Sequence, residues 1–495
     1  MRHQRPNCAG ASVLVPALAT ILIMATTGHV SARELSLDQA LDIALKQTMR
    51  GEMIEGNLEV AEQLYSARRI NMYVPEISIN GSVPSFRKSE AYEELRLGEF
   101  GWSKRRYYDY TTFVELKQTL ITGGALTAVA DLASENRRYP YRSSLDVFQD
   151  QFTKSGALRF SLEQPLFRPS SVKNELHNRK DDLEIARVTR VEETAALKRE
   201  VIEAYVGTIQ LQLQADIATR KLEKAQLQEG IDSAKLTDGV LSEEDFLLSS
   251  SARLDAELAG HSADTELGEK KRELATLLDM DASESLDLTI PEPPANMDDA
   301  MRQRFVADWE KAAPIVKASH ALAKSEREAD YAASGHGLTG DLAASYAFGQ
   351  QDVEIDYPDT SSSDNYRTNS WTLALQVKLP LWDGGAGSAA VRAARYQAEQ
   401  ANYEFTRTQR SARAKIVSLI NQIDVSYQRL DIIRKQIKLA EDRLEIAGGR
   451  FADGRISKLT LLESEIFLLE TKDRYLEELK AYLLNRIELE SQYLG

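Results

Sequence analysis

The chain has 495 residues, of which 28% are charged, with a net charge of −15 and a single cysteine. Its length favours about two to four domains, and its acidic balance argues against nucleic acid and anionic lipid surfaces as partners. Because Cys8 lies before the first apolar run, the rest of the chain can form neither a disulfide nor a thiolate metal site.

The first 32 residues have the features of a secretory signal peptide. Arg2 and Arg5 give a basic start, residues 13–24 form an apolar run, and residues 30–32 (Val-Ser-Ala) form a small-residue cleavage site. The run is shorter than the roughly 20 residues of a membrane-spanning helix. We therefore predict export and cleavage before Arg33, which leaves a mature net charge of 59 − 76 = −17.

An internal repeat organises the rest of the chain. Residues 165–167 (Pro-Leu-Phe) recur as 380–382 (Pro-Leu-Trp), and the Asp-Gly turn at 238–242 recurs at 453–457, both with an offset of 215. Only a continuous packed helix keeps its length so strictly, because one inserted residue rotates its apolar stripe by about 100°. Each copy is thus predicted to contain strands, a long helix and a tight turn.

The predicted elements follow this order in both copies. The first copy has a helix over 37–72, alternating strand patterns near 76–83, 114–120, 126–132 and 158–163, and a helical hairpin over 171–235 and 242–279. Thr122-Gly123-Gly124 marks a hairpin turn between the middle two strands. The second copy has a helix over 296–333, strands at 341–348 and 371–379 around a polar loop at 349–370, and a hairpin ending with the helix 457–493.

The helices carry heptad patterns, which predict coiled-coil packing. Leu197, Ala204 and Leu211 repeat by seven in the first copy, and Ile416 and Ile423 do so in the second. The helix over 171–235 would be about 100 Å long. From helix lengths we predict four columns, with the N-terminal helix stacked on the C-terminal helix and 296–333 stacked on 242–279.

The strands predict a shared sheet. Four strands in the first copy and two in the second are too few for a closed transmembrane barrel, which needs at least about eight strands and leaves no free edge. Several chains could complete one barrel together. Aromatic residues near the strand ends would suit a membrane-interface girdle: Tyr107, Tyr108, Tyr110, Tyr139, Tyr141 and Trp371.

With these features the sequence resembles the TolC-like outer-membrane efflux proteins over nearly all of its mature length. The resemblance rests on the repeat and on the strings at 35–45 (LSLDQALDIAL), 164–167 (QPLF), 379–385 (LPLWDGG) and 450–457 (RFADGRIS). It implies a mainly α fold with β structure, in which a long antiparallel α-helical coiled-coil barrel joins a transmembrane β-barrel shared between protomers, with an internal two-fold repeat.

The resemblance also implies a function. The chain would be a homotrimeric channel in the outer membrane of a Gram-negative bacterium, with its helices in the periplasm. It would contact outer-membrane lipid, a periplasmic adaptor and an inner-membrane transporter, and act as the exit duct of a tripartite efflux or type I secretion system. Family members usually have two strands per copy, so the extra hairpin near 111–134 is a departure; if all six strands joined, a trimer would have 18.

The family closes its tunnel at the periplasmic helical tips, which points to two groups of residues here. A gate is predicted from charged and polar residues after the two Asp-Gly turns, although each could instead lie on a solvated helix face; the candidates are Glu463, Arg455, Thr460, Asp245 and Glu244. An adaptor-contacting surface is predicted at the tip turns, comprising Asp238, Gly239, Leu241, Asp453, Gly454 and Ile456.

Other functions fit less well. The histidines form no metal-spaced pair, and Gly384 to Gly387 lack the lysine and acid of a nucleotide site, so no enzyme activity, cofactor or metal is predicted. The alternative is a periplasmic coiled-coil scaffold or adaptor that does not span the membrane. The predicted domains are the signal peptide 1–32, a first repeat 33–290 and a second repeat 291–495.

Overall fold

The computed structural model of the protein describes residues 33–96, 98–140, 147–281 and 286–493. The predicted signal peptide and Tyr141 lie outside these residues. Six long strands at one end continue into a layer of long helices. The first short strand, β1 (Arg33–Leu35), pairs in parallel with β6 (Leu286–Leu288) beside the middle of the helical layer.

The helices confirm the repeat to the residue. Helix α3 starts at Ser171 and α7 at Ala386, an offset of 386 − 171 = 215, and both contain 67 residues. The eight helices of the described chain are α1 (Leu37–Lys46), α2 (Met49–Tyr73), α3 (Ser171–Thr237), α4 (Glu243–Leu277), α5 (Asp299–Ala307), α6 (Ala313–Gly335), α7 (Ala386–Ala452) and α8 (Lys458–Glu490).

Two predicted helices are broken, and both breaks have local causes. The helix predicted over 37–72 divides into α1 and α2 because Thr48 takes an extended conformation and caps α2 by accepting the Gly51 N–H. The helix predicted over 296–333 divides into α5, one 3₁₀ turn (Trp309–Lys311) and α6. Pro314, which lacks an N–H, sits in the first turn of α6, where no helical donor is needed.

The predicted pairing of the columns is wrong. Helix α2 stacks on α4, since the Met49 N–H at its start donates to Asp279 Oδ2 just beyond the end of α4, at 2.9 Å. Helix α6 stacks on α8, since the Ala313 N–H donates to the Gln492 carbonyl at 2.7 Å. Length alone allowed either pairing, because the connection between α4 and α6 is long enough to cross the layer.

The six strands form one antiparallel sheet in the order β2-β3-β4-β5-β7-β8. They are β2 (Glu76–Arg96), β3 (Glu99–Thr119), β4 (Ala125–Pro140), β5 (Phe148–Leu166), β7 (Thr339–Asp356) and β8 (Ser361–Lys378). Four strands in the first repeat and two in the second are as predicted, and so is the turn between β3 and β4.

The polar loop predicted over 349–370 is wrong. Strands β7 and β8 continue through it and are joined by a tight turn in which the Tyr357 N–H donates to the Thr360 carbonyl at 2.8 Å. Polar cross-strand pairs, such as Asn365 donating to Asp352, hold this part of the ribbon together. Composition predicted a loop because both faces are polar there, but backbone pairing does not depend on side-chain polarity.

The main core lies where the columns meet halfway along the helices. Leu197, Val201 and Ala204 on α3 and Ile416 and Ile423 on α7 are buried there, which confirms the heptad prediction for this region. Tyr205 is fully buried, and its single hydroxyl hydrogen is shared between the carbonyls of Leu35 in β1, at 2.6 Å, and Thr289 just after β6, at 2.8 Å. The short strands are thereby fastened to α3.

Candidate functional site

In the half of the six-stranded sheet next to the helices, one face is apolar and exposed. Trp371 in β8 is 77% exposed, and in register beside it lie Tyr346 in β7 and Phe160 in β5. The same cross-strand row continues through Ala128 and Leu116 to Ile77 in β2. A contiguous apolar surface of this size on an exposed face is typical of a surface that contacts lipid or another protein.

The opposite face of the sheet is polar. Side chains alternate between the two faces of a strand, so Glu115, Asp131 and Arg159 point away from the apolar face. Arg159 and Asp131 form an ion pair across β4 and β5 at 2.7 Å. The sheet therefore separates an apolar side from a wet, charged side, as the wall of a membrane pore does.

The helical layer ends in two free edges. Helix α3 lies inside the layer, packed against α2 and α4 on one side and α6 and α8 on the other. Helix α7 packs against α6 and α8, and its far side carries exposed apolar residues spaced mostly by seven along its whole length. These residues are Tyr396, Tyr403, Val417, Val425, Ile432, Leu439 and Ile446.

The opposite edge carries a matching stripe. The sides of α2 and α4 that face away from α3 expose large apolar residues, namely Met49, Met53, Val60 and Leu64 on α2 and Leu247, Leu248, Leu254 and Leu258 on α4. Strand β2 continues from α2 and β8 continues into α7, so each free helical edge is continuous with a free strand edge. No helix in the described part of the chain has both the length and the apolar character needed to span a membrane.

The two helical tips have the same backbone geometry. Each long helix ends with a glycine in the left-handed region, Gly239 at φ 72° and Gly454 at φ 69°. Each turn carries the paired 6→1 and 5→2 hydrogen bonds of a Schellman motif. In the first turn the Val240 and Gly239 N–H groups donate to carbonyls of the preceding helix, and in the second turn the Arg455 and Gly454 N–H groups do so. This conformation explains why the Asp-Gly pairs recur.

The predicted adaptor surface is formed by these turns. Asp238, Gly239, Asp453 and Gly454 are exposed at the tips, whereas the side chains of Leu241 and Ile456 are half-buried. Both aspartates are the C-cap residues of the long helices. The return helices are capped instead by Ser242 and Ser457, whose hydroxyls accept the N–H of the residue three positions later.

The predicted gate residues are not all in one place. Thr460 belongs to the cap of α8, and its hydroxyl lies 3.1 Å from that of Ser457. Arg455 lies 3.6 Å from its neighbour Asp453, and both are exposed. Asp245 accepts the Ser242 hydroxyl at 2.7 Å, in the cap of α4, and Glu244 is exposed next to it.

Glu463 differs from the other candidates because it bridges two helices. Lys224 Nζ on α3 donates to Glu463 Oε1 on α8 at 2.8 Å. Further ion pairs join the same two helices, namely Arg220 with Glu465 at 3.3 Å, Lys221 with Glu470 at 2.9 Å and Lys458 with Glu223 at 3.5 Å. Near its tip, the α3–α8 seam is therefore held by charges.

Asp473 lies in this seam, closer to the core. Burial raises the pKa of its carboxyl above the ordinary value, although the polar side chains of Gln214 and Gln210 nearby act in the opposite direction. One of its oxygens, Oδ1, is buried without a hydrogen-bond partner. Sequence analysis missed Asp473 and the cations of α3. The run of Arg220, Lys221 and Lys224 on one face of α3 is the sequence pattern that could have indicated a charged seam.

One protein-family model matches part of this chain. Residues 311–495 match the family model described as outer membrane efflux protein. No curated protein sequence matches the chain. The described residues hold no cluster of His, Cys, Asp and Glu suited to a metal ion.

Solved structures match over nearly the whole chain. The Campylobacter jejuni CmeC outer membrane channel is 13% identical with a TM-score of 0.57, and the match covers 92% of this chain and 85% of that one. For the Vibrio cholerae outer membrane protein VceC these values are 14%, 0.56, 93% and 97%. For the open state of the Neisseria gonorrhoeae MtrE outer membrane channel they are 16%, 0.54, 92% and 88%. The predicted fold class is confirmed.

Proposed function

We propose that this chain, whose residues 311–495 match the outer membrane efflux protein family, belongs to the TolC-like outer-membrane efflux proteins and is a homotrimeric exit duct in the outer membrane of a Gram-negative bacterium. Its strands would form a barrel shared by three protomers, and its helices a periplasmic tunnel. A periplasmic adaptor and an inner-membrane transporter would complete a tripartite efflux or type I secretion system.

The repeat itself carries this proposal, because equivalent faces of α3 and α7 have opposite exposures. Val188 on α3 is 0% exposed, whereas its equivalent Tyr403 (188 + 215) on α7 is 64% exposed. Ile202 and Ile217 are buried, whereas their equivalents Val417 and Ile432 are exposed. The α3 face is covered by α6 and α8 of the same chain. The equivalent α7 face is also apolar, and α2 and α4 of a neighbouring copy would cover it.

Such a contact is heterologous, because α7 and α4 are different surfaces, so it repeats from copy to copy and forms a closed ring when three rotations complete a full turn. The repeat also predicts which residues meet. Lys224 and Glu463 form the intrachain contact between α3 and α8, and their equivalents at an offset of 215 are Leu439 and Leu248. These leucines are 67% and 64% exposed. We expect them to touch between neighbouring protomers.

A disulfide experiment tests the ring. Under oxidising conditions, the double variant Leu439→Cys with Leu248→Cys should yield covalent trimers in outer-membrane fractions. Addition of a reductant should abolish these covalent trimers. Glu441→Cys with Leu248→Cys is the matched control, because Glu441 lies 3.6 Å from Lys472 of α8 and so faces the chain's own seam. Monomers alone in the first variant, or equal crosslinking in both, would contradict the proposal.

The alternative, a periplasmic scaffold outside the membrane, is disfavoured by the sheet. Six strands with an exposed apolar face would have to remain in water, which is a costly arrangement for large aromatic and aliphatic residues. The rival predicts that the mature protein is recovered in the soluble periplasmic fraction. The duct predicts recovery in the outer membrane as heat-modifiable trimers.

We further propose that the tips form the gate and the adaptor surface. The ion pairs between α3 and α8 would hold the tips closed, and Glu463 would contribute one carboxylate per protomer near the axis, where a ring of like charges attracts cations. Arg455, Thr460, Asp245 and Glu244 would shape the tip around it. The exposed turns Asp238-Gly239 and Asp453-Gly454, with Leu241 and Ile456, would face the adaptor.

Single-channel recording tests the gate. Glu463→Gln should raise the fraction of time in the open state and lower the preference for cations over anions. Lys435→Gln is the control, because Lys435 pairs at 2.7 Å with Asp431 within the exposed part of α7. If gating and ion preference are unchanged in Glu463→Gln, Glu463 is not part of the gate.

A further inference from the structure

We infer that the additional hairpin β3–β4 stands in the lipid-facing wall, so that three chains form an 18-stranded barrel at least as wide as the helical tunnel. The inference rests on the proposed trimer and extends it. It also has a functional consequence: the barrel would exclude no solute that the tunnel admits, and passage would be limited at the tips.

The apolar face passes through the hairpin without interruption. Leu116 and Val114 in β3 and Leu126 and Leu132 in β4 share the face of Phe160, as the strand register shows. Leu132 is 69% exposed, which is comparable to Leu373 in β8 at 64%. A hairpin folded into the lumen would show polar side chains on both faces, because neither face would meet lipid.

The apolar band runs obliquely across the strands, as a flat membrane band does on tilted strands. Within the strands, the last apolar residue of this face towards the helices is Leu116 in β3 and Val377 in β8, whereas the residue of β8 level with Leu116 is Trp371. The band therefore shifts by 377 − 371 = 6 residues over four strand steps.

This shift corresponds to a plausible strand tilt. Six residues span about 20 Å along a strand, and four steps span about 19 Å across the sheet. The resulting tilt of about 45° is close to the roughly 35–45° of transmembrane barrels. The boundary in β4, at Leu126, falls between those of β3 and β8, since Leu126 pairs with Gln118, two residues beyond Leu116. The hairpin thus follows the same slope as the other strands.

The widths of the two layers can also be compared. Eighteen strands about 4.8 Å apart and tilted by about 45° give a circumference of about 122 Å and a diameter of about 39 Å. Twelve helical columns about 9 Å apart give about 108 Å and a diameter of about 34 Å. Twelve strands at the same tilt would give about 26 Å. With the hairpin in the wall, the barrel is therefore at least as wide as the tunnel.

Contacts at the base of the hairpin hold it in this position. The Ser170 hydroxyl, which caps α3, donates to the Ile121 carbonyl in the β3–β4 turn at 2.7 Å. The Thr122 hydroxyl donates to Gln164 Oε1 at 2.6 Å, and Gln164 Nε2 donates back to the Thr122 carbonyl at 3.3 Å. The turn is therefore seated at the junction between β5 and α3, in line with the wall.

Spin labels on single cysteines test the placement. In trimers reconstituted in lipid vesicles, a label at Leu116→Cys should be relaxed by oxygen and protected from a water-soluble nickel complex, and a label at Glu115→Cys should show the reverse. Leu373→Cys and Thr372→Cys are the matched outer and inner controls in β8. All variants are made in the mature chain, which has no other cysteine.

The controls separate the two proposals. If the β8 pair shows the lipid and water pattern but Leu116→Cys is water-exposed, the hairpin lies outside the wall and this inference is overturned while the duct stands. If the β8 pair also lacks the pattern, the sheet is not a membrane wall and the proposed function itself fails.

Polymer exclusion tests the bore. A variant lacking residues 99–146, with Gly98 joined to Val147, would retain four strands per chain. Diameter grows roughly linearly with strand number, so neutral polyethylene glycols added on the extracellular side should enter the wild-type barrel up to a radius about 1.5-fold larger than in the variant. Equal size limits for the two proteins would overturn the inference, and the label experiment decides it if the variant does not assemble.

Discussion

The two repeats have the same helical hairpin but different surroundings. Helices α3 and α7 have equal lengths, and their tip turns have equal geometry. Yet α3 is buried on both sides by its own chain, whereas α7 leaves one side exposed. The same long helix thus lies at the centre of the protomer in the first repeat, and in the second repeat it would form the proposed contact with the next protomer. The family model matches only the part of the chain that contains the second repeat.

The first way to break this comparison is to insert one alanine into each long helix. Inserted after Ile433, it turns the following part of α7 by about 100°, including the stripe with Leu439 and the face that packs on α8, so we expect trimers to be lost. Inserted at the equivalent place, after Ala218, it disturbs α3, which packs on both sides, and we expect the protein not to accumulate. Heat-modifiable gel mobility and membrane fractionation measure both.

An alanine inserted between Asp359 and Thr360 is the control for these insertions, because it lies in the exposed β7–β8 turn. We expect trimers of normal stability there. Wild-type trimer yield after the insertion at Ile433 would show that the α7 stripe is not an interface.

The second test exchanges the chemistry of the two seams. Leu439→Lys alone would bury an unpaired charge between protomers, which costs about 3–5 kcal/mol per contact, so trimers should dissociate. Adding Leu248→Glu should restore trimers by creating the equivalent of the Lys224–Glu463 pair. These rescued trimers should weaken as salt is added, which size-exclusion chromatography at two ionic strengths would detect. Absence of rescue would contradict the proposed register.

The third test concerns a contact found only in the first repeat. The equivalent of Tyr205 is Ile420, which has no hydroxyl. In Tyr205→Phe the carbonyls of Leu35 and Thr289 lose their donor, at a cost of about 1–3 kcal/mol. We expect faster amide hydrogen exchange in β1 and β6. Exchange unchanged there, with Ile420→Val as the control, would show that the hydroxyl does not hold these strands.

The fourth test asks whether the two tips are equal in energy as they are in geometry. An alanine at φ near +70° is strained by about 1 kcal/mol relative to glycine. Gly239→Ala and Gly454→Ala should therefore increase local opening of their turns to the same extent, measured by hydrogen exchange at Val240 and Arg455. Gly230→Ala, within α3 and with open space around its Cβ position, is the control. A large difference between the tips would reveal an additional constraint on one of them.

The smallest expected effect depends on pH. The pKa of Asp473 is raised in the folded protein mainly by burial, so ionisation opposes folding: stability is highest below the ordinary carboxyl pKa and falls as pH rises through the raised pKa. Asp473→Asn should thus melt at a higher temperature than wild type at pH 7.5, and the difference should shrink towards pH 4. Glu445→Gln, on the exposed surface of α7, serves as control. A difference that is constant with pH would contradict this account.

Local features of the sequence determined the helices, the tips and the number of strands. Heptad spacing reports burial along a single helix, and a glycine after Asp reports a backbone conformation, so both can be read without knowing what lies opposite. For the same reason the six-strand count, the turn at Thr122 to Gly124 and the equal lengths of α3 and α7 were predicted correctly.

Only the tertiary structure decided how these elements meet. Where α2 stacks on α4, a hydrogen bond joins Met49 and Asp279, which are 230 residues apart. The partner of Glu463 is Lys224, on a helix of the other repeat. Strands β7 and β8 extend through a polar segment because paired backbones satisfy each other whatever their side chains are. Such contacts join distant parts of the chain, and no local pattern specifies which partner each element finds.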